Sequence, residues 1–354
     1  MGAMHVPTIP PQVYARRRRE LASKLSRPGH APARNYAANT YRFRAGSTYL
    51  YYGGPAVEDA ALLIEPGSDG ASGCVLFRVP EQPDDAVWFG PATPDAVLAD
   101  AAGLPAGCMK DTQALRQAVA GRDIATICPQ AVRTVELVRS LGVSPATPDE
   151  LSVVIEQRLV KDELELAAMR FAAEVTIEAQ RAAFAVARPG LREADVVAEL
   201  LAVLTANGCA ESYGSIVTVR GEVLHSLGHR AVLEAGQMLM IDAAAEEPGG
   251  YASDMTRTAP VSGEWSPIQR HIYDTVREAL DRATAACVPG VRYREVHDLA
   301  GEVICEGLVR AELLHGDPRE LAARRAQTLF FTHGVGHLIG LDVHDMEDFG
   351  DLAG

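Results

Sequence analysis

The sequence predicts an α+β protein with two domains, the second of which consists of two pseudo-symmetric halves. Three observations indicate this fold class. The chain has 354 residues, 47% of them hydrophobic, and can therefore bury two cores. Short β-rich segments give way to long amphipathic helices after residues 144–150, where two prolines lie close together. A Pro-Gly pair then ends a long helix twice, at Pro189 and at Pro289, and an acidic helix follows each pair.

The same patterns place the domain boundary near residue 150. We predict an N-terminal α/β domain over 9–150 and a second domain over 151–354, and we interpret residues 1–8 as an extension or a cloning remnant. In the first domain, β-branched and aromatic runs that end in turn residues predict strands. The predicted strands lie at 47–54, 60–66, 74–80, 86–91 and 124–128, with a helix at 111–121.

A run of four arginines at 16–19 lies on a predicted N-terminal helix. We interpret this run as a solvated helix face, with Val13, Leu21 and Leu25 directed inward. A patch for nucleic acid or a membrane is the alternative. The formal net charge of −14 at pH 7 argues against a nucleic-acid binder, which needs a basic surface.

The second domain is predicted to repeat a unit of two helices and a strand. Ser266 and Gln269 are spaced as a capping box, and Pro267 suits the first helical position of the second unit. The predicted helices lie at 161–187, 192–208, 267–287 and after Pro289, and the predicted strands lie at 213–219 and 328–337.

Composition also bears on the cellular compartment. The chain has no apolar run of about eighteen residues, which a membrane span requires, and its N-terminus lacks the apolar segment of a signal peptide. None of its six cysteines lies in a C-x-x-C pair, which is typical of free thiols in a reducing compartment. We therefore expect a cytoplasmic protein without nucleic-acid or membrane partners.

Two aspartates flank a Gly-Pro-rich turn in the stretch "IDAAAEEPGGYASDMTRT". Neighbouring strands of a hairpin lie about 5 Å apart, so Asp242 and Asp254 can converge on a divalent ion. Two caps at strand ends are the alternative, and the hairpin alone does not decide between them. A second stretch, "FFTHGVGHLIGLDVHD", carries His333, His337 and His344 among glycines and favours the metal site.

Three segments together resemble the pita-bread metallopeptidases: "IDAAAEEPGGYASDMTRTAPVSG", "HGVGHLIGLDVHD" and "IVTVRGEVLH". Within that family the chain is similar to Xaa-Pro aminopeptidases (aminopeptidase P) and prolidases, and residues 41–54 resemble part of their N-terminal domain. The resemblance implies a pita-bread (creatinase/aminopeptidase) second domain, a proline-containing peptide as substrate, and a homodimer or homotetramer. Xaa-Pro dipeptidase activity, or a non-catalytic pita-bread module that binds a peptide or partner, is the alternative.

The resemblance also implies a role for each site residue. Asp242, Asp254 and His337 would be ligands of two divalent metal ions, with manganese as the expected metal and cobalt or zinc as alternatives. A hydroxide that bridges the ions would attack the peptide carbonyl, and His344 would stabilise the tetrahedral intermediate or carry a proton. The residues that would bind substrate or line the pocket are His225, His333 and His344.

The chain departs from the family pattern at its end. The family completes its site with two glutamates on a last hairpin, one of which is also the general base. Ile216 lies 26 residues before Asp242, and the same spacing from Phe330 points beyond Gly354. We therefore expect the second half to lack its last hairpin and these 354 residues to be impaired as an enzyme. The acidic residues of the tail, which we interpret as a Gly-broken loop, are Glu347, Asp348 and Asp351.

Overall fold

The N-terminal region is built on a mixed β-sheet. The computed structural model describes residues 9–24, 29–33, 43–127 and 132–352. The strands of this sheet are β1 (Gly29–Ala33), β2 (Ala60–Ile64), β3 (Cys74–Arg78), β4 (Met109–Asp111), β5 (Ala125–Thr126) and β6 (Ser144–Pro145). Their order is β4-β3-β2-β1-β5-β6, and β1 pairs antiparallel with β2 but parallel with β5. The α+β composition is as predicted.

The helices of the N-terminal region are short. They are α1 (Pro11–Ala22), α2 (Ser47–Gly53), α3 (Asp85–Phe89), α4 (Asp95–Ala101), α5 (Gln113–Val119) and α6 (Val132–Leu141). The predicted helix at 111–121 is confirmed by α5, and the predicted strands at 60–66, 74–80 and 124–128 are confirmed by β2, β3 and β5.

Two of the predicted strands are wrong. Residues 47–54 form α2, whose Tyr49 and Tyr52 are only 1% exposed and belong to the core beside the sheet. Residues 86–91 fall largely on α3, where Trp88 is 77% exposed. Aromatic and β-branched composition favours a strand only where a neighbouring strand takes up the backbone hydrogen bonds, and neither segment has such a partner in the described sheet.

The prediction of a solvated arginine face on α1 is wrong for two of its residues. Arg17 and Arg18 are 1% and 0% exposed. Arg18 donates hydrogen bonds to the carbonyl oxygens of Gly70, Tyr52 and Ala102, and these acceptors make its burial tolerable. The predicted burial of Val13 and Leu21 is confirmed, whereas Leu25 lies outside the described residues.

The second region begins after α7 (Pro148–Leu159). Its helices are α8 (Glu163–Val186), α9 (Glu193–Ala206), α10 (Pro267–Ala286), α11 (Tyr293–Arg310) and α12 (Pro318–Ala323), and the predicted capping box at Ser266 is present. Its strands are β7 (Ala210–Glu211), β8 (Ile216–Thr218), β9 (Met238–Asp242), β10 (Ala245–Glu246) and β11 (Thr256–Pro260). β9 lies between β8 and β11 and is antiparallel to both. The domain boundary at residue 150 stays a prediction.

The two halves differ in what their helices cover. In the first half, α8 and α9 pack on β8 and β9 around a core that includes Val175, Leu200 and Ile241. In the second half, α10 and α11 pack on each other, and the core that they share is the small cluster of Ala283, Val296 and Ala300. On α10, three apolar side chains are more than half exposed: Ile268, Val276 and Leu280.

The predicted strand at 328–337 is wrong. A short 3₁₀ helix spans Ala326–Leu329, and the residues that follow are irregular. The corresponding strand of the first half, β8, forms because β9 exchanges backbone hydrogen bonds with it. Within the described part of the second half no strand is present to pair in this way, and the backbone at 328–337 therefore has no reason to extend.

Candidate metal centre

The hairpin of β9 and β11 places both aspartates on one side of the sheet. Asp242 is the last residue of β9 and pairs in register with Thr256, the first residue of β11. Asp254 lies two residues before Thr256, outside the strand, and its carboxylate meets that of Asp242 at the hydroxyl of Tyr213. A hydrogen bond between the side chains of Thr256 and Asp242 is consistent with this arrangement.

A tyrosine hydroxyl lies between the two carboxylates. The hydroxyl oxygen of Tyr213 lies 2.5 Å from Oδ1 of Asp242 and 2.8 Å from Oδ1 of Asp254. Burial raises the pKa of Tyr213, and its hydrogen bond to Asp242 and the charges of both aspartates raise it further. Tyr213 is therefore neutral, and its single hydroxyl proton can be donated to only one of the two carboxylates at a time. Sequence reasoning missed it, because a single tyrosine three residues before β8 carries no motif.

His337 completes the cluster. Its Nε2 lies 3.0 Å from Oδ2 of Asp254, and its Nδ1 lies 2.9 Å from the carbonyl oxygen of Leu338. A carbonyl oxygen can only accept a hydrogen bond, so this contact assigns the ring proton to Nδ1. In a neutral ring Nε2 then carries a lone pair. That lone pair faces the carboxylate of Asp254, which is also only an acceptor. A cation beside Nε2 and the carboxylate would satisfy both of these acceptors. Metal-bound histidines are commonly oriented in this way, with the other ring nitrogen donating to a carbonyl.

The other predicted histidines differ in their proximity to the cluster of Asp242, Asp254 and His337. The ring of His344 stacks on His337 with centroids 3.8 Å apart, and its Nδ1 lies 2.5 Å from Oε1 of Glu347. His225 is exposed and near enough to Asp242 to lower the pKa of that carboxyl. His333 instead contacts the carbonyl oxygen of Gly334 and the ring of Phe331, and the described contacts do not join it to the cluster.

The electrostatics of the cluster favour a cation. Burial raises the pKa of Asp242, the hydrogen bond from Tyr213 lowers it, and the charge of Asp254 raises it again. The net shift is upward, which means that the ionised form of this carboxyl is disfavoured without a compensating positive charge. A divalent ion between the two aspartates would supply that charge.

The donor set fits a hard or borderline divalent ion, since it consists of two carboxylates and one imidazole. Across the described residues, no group of three or more His, Cys, Asp or Glu side chains already encloses an ion-sized position. The hydroxyl of Tyr213, placed between Asp242 and Asp254, is the group that would have to move aside for an ion.

Sequence models of known families match both the N-terminal region and the second region of the chain. The sequence model of metallopeptidase family M24 matches residues 167–353, and that of the aminopeptidase P N-terminal domain matches residues 14–123. A protein named Xaa-Pro aminopeptidase from Escherichia coli is 31% identical over 96% of this chain and 82% of its own length. Xaa-Pro aminopeptidase 1 of Streptomyces coelicolor is 30% identical over 86% of this chain, which spans only 65% of that protein. The structure of zinc-substituted E. coli aminopeptidase P in complex with product superposes with a TM-score of 0.85 at 30% identity, covering 96% of this chain and 82% of the other.

Proposed function

Because the chain belongs to metallopeptidase family M24, we propose that it releases the N-terminal residue from peptides whose second residue is proline. The predicted family is confirmed, and so is the fold: an N-terminal domain followed by an aminopeptidase P-like pita-bread domain. The chain is an Xaa-Pro aminopeptidase family metallopeptidase, and its family implies divalent metal ions. The substrate, the use of two ions and the choice of manganese belong to the proposal.

The observation that carries the proposal is the meeting of Asp242, Asp254 and His337. These side chains come from a hairpin and from a loop far along the sequence, yet His337 and Asp254 lie within hydrogen-bond distance. Bound divalent ions would lower the pKa of water and polarise the carbonyl of the scissile bond. In the proposal these residues hold the metal, and the hydroxyl of Tyr213, which lies between the two carboxylates, moves aside when an ion binds.

The histidines act on the substrate in this proposal. His225, exposed beside Asp242, would hydrogen-bond the peptide near the scissile bond. His344 is paired with Glu347 through Nδ1, which leaves Nε2 free to exchange a proton with the reacting peptide. His333 is assigned to the pocket wall, where the edge of its ring meets Phe331.

In a version of the chain completed with the family's two glutamates, removal of metal is expected to abolish peptidase turnover. An Xaa-Pro-Yaa tripeptide is the substrate, and release of the N-terminal residue is measured before chelation, after chelation and after addition of Mn²⁺. Recovery with Mn²⁺ or Co²⁺ is expected because the donor set is rich in oxygen. Turnover that survives chelation would contradict the metal assignment. Turnover of Xaa-Pro dipeptides alone would favour the dipeptidase alternative.

The compartment and the assembly are proposals as well. We propose a cytoplasmic homodimer or homotetramer, in keeping with the free thiols of Cys74, Cys108, Cys287 and Cys305. In the part of the chain that the structure describes, no helix combines the length and the apolarity needed to cross a bilayer.

A further inference from the structure

Arg44 lies where the N-terminal region meets two elements of the metal centre. These elements are the metal hairpin, residues 238–260, and the histidine loop, residues 333–346. Nε of Arg44 donates a hydrogen bond of 3.0 Å to Oε2 of Glu246 in the hairpin. One terminal nitrogen of its guanidinium contacts the carbonyl oxygen of Leu341 and lies 3.4 Å from Oδ1 of Asp342, both in the histidine loop.

The remaining donors of Arg44 fix the guanidinium itself. The other terminal nitrogen donates to Oγ of Ser47, at 2.6 Å, and to the carbonyl oxygen of Ala45, at 3.0 Å. A further contact of 3.3 Å reaches the carbonyl oxygen of Gly250 at the tip of the metal hairpin. One planar side chain thus connects its own segment with two others, whose contacts lie 202 and 297 residues along the chain from Arg44.

Packing around Arg44 reinforces the same junction. Gly250 has a φ of +96°, and a Cβ at this position would lie 2.9 Å from Leu50 of α2 and 3.4 Å from Leu341. Leu50, Tyr251 and Leu341 belong to one core cluster. The backbone N–H of Ala252 also donates to the carbonyl oxygen of Gly340, at 2.8 Å. The hairpin and the histidine loop therefore meet on a surface that the N-terminal region provides.

This junction lies only a few residues from the metal-ligating side chains. Ala252 precedes Asp254 by two residues, and Gly340 follows His337 by three. Because these connections are short, a shift of Leu341 relative to the hairpin would change the distance between His337 and Asp254.

We propose that Arg44 is a positioning residue that holds the histidine loop against the metal hairpin, so that the N-terminal region sets the affinity of the site for its metal. The proposal rests on the proposed function, because it concerns the same metal centre. It assigns no contact between Arg44 and metal or substrate. Groups that orient metal ligands from outside are typically worth about 10–100-fold in metal affinity.

The geometry requires an arginine and not merely a positive charge. A guanidinium presents five donors in a fixed plane, and Arg44 uses that plane to reach Glu246, Leu341 and Ser47 at once. A lysine ammonium is a compact charge on a flexible stem and can reach only part of this set. Arg44→Lys therefore keeps the charge and loses the link between the hairpin and the loop.

The test compares Arg44→Met and Arg44→Lys with a matched control, Arg122→Met. Arg122 also belongs to the N-terminal region and forms a close ion pair with Glu65, at 2.6 Å, without contacting the metal centre. We expect Arg44→Met to weaken Mn²⁺ binding by about 10–100-fold in calorimetry, and Arg44→Lys to fall between it and the wild type. Arg122→Met should bind Mn²⁺ as the wild type does.

A second readout needs no metal. Amide hydrogen exchange of residues 333–346 should be faster in both Arg44 variants than in the wild type, while exchange in α8 stays unchanged. If the wild type binds no Mn²⁺, the proposed function fails, yet exchange still tests the role of Arg44. Wild-type exchange in the loop, or wild-type Mn²⁺ affinity in Arg44→Lys, would overturn the proposal. Should Arg44→Met fail to fold, the lysine variant alone decides.

Discussion

Replacing Asp254 with asparagine is expected to weaken Mn²⁺ binding by more than about a hundredfold, since even residues that only orient metal ligands are worth about 10–100-fold. The variant loses a charged carboxylate that lies between Tyr213 and His337 and that we propose as a metal ligand. The fold should persist, because the new amide can donate to Nε2 of His337 and accept from Tyr213. Calorimetry with Mn²⁺ measures the affinity, and circular dichroism verifies that the helices are intact.

Asp274→Asn is the matched control for this prediction. Asp274 lies on α10, where its carboxylate accepts from Arg270 at 2.8 Å on the protein surface. The same change of charge at that position should leave Mn²⁺ affinity at the wild-type value. If both variants bind Mn²⁺ as the wild type does, Asp254 is not a ligand and the hairpin carboxylates only cap strand ends.

Replacing Arg17 with methionine is expected to lower the free energy of unfolding by about 3–5 kcal/mol, because it leaves the other charge of a buried pair without a partner. Arg17 is 1% exposed and lies 3.3 Å from Glu165, which is also buried. It donates to the hydroxyl of Tyr251 at 3.1 Å, and Tyr251 donates to Glu165 at 2.9 Å. The guanidinium also stacks over the ring of Tyr51.

Urea unfolding followed by circular dichroism measures this loss. Arg16→Met is the control, because Arg16 precedes Arg17 on the same helix but pairs with Asp162 at the surface, where such pairs are worth about 0–1 kcal/mol. The double variant Arg17→Met, Glu165→Gln should recover part of the stability, since it removes the orphaned charge. Equal losses of unfolding free energy in Arg16→Met and Arg17→Met would mean that the burial of Arg17 and Glu165 does not affect stability.

A structural feature of this protein was predictable from the sequence where the residues that determine it lie close together along the chain. Helices such as α8 and α10 were predictable because their caps and their amphipathic periods lie within the segments themselves. The close approach of Asp254 and His337 could be predicted only through the motifs around them. Both lie near sequence patterns that are short, contiguous and rich in Asp, His and Gly.

The signals that failed depend on partners far along the chain. Arg17 is buried because Tyr251, 234 residues later, accepts from it, and Arg44 binds the backbone of Leu341 at a separation of 297 residues. Neither the hydrophobic periodicity nor the capping residues in the sequence near these arginines indicate such distant partners. The predicted strand at 328–337 failed for the same reason, because a strand depends on a neighbour that lies elsewhere in the chain.

The small core beneath α10 and α11 has a consequence for how unfolding is observed. With few buried apolar contacts, this helix pair is expected to open at a lower free energy than the rest of the chain, so unfolding need not be two-state. Of the two tryptophans in the sequence, Trp88 is 77% exposed, while Trp265 lies two residues before α10 and its ring packs against Tyr273 of that helix. Intrinsic fluorescence therefore reports mainly the opening of this helix pair, and a transition midpoint read from it describes that pair and not the buried core around Arg17.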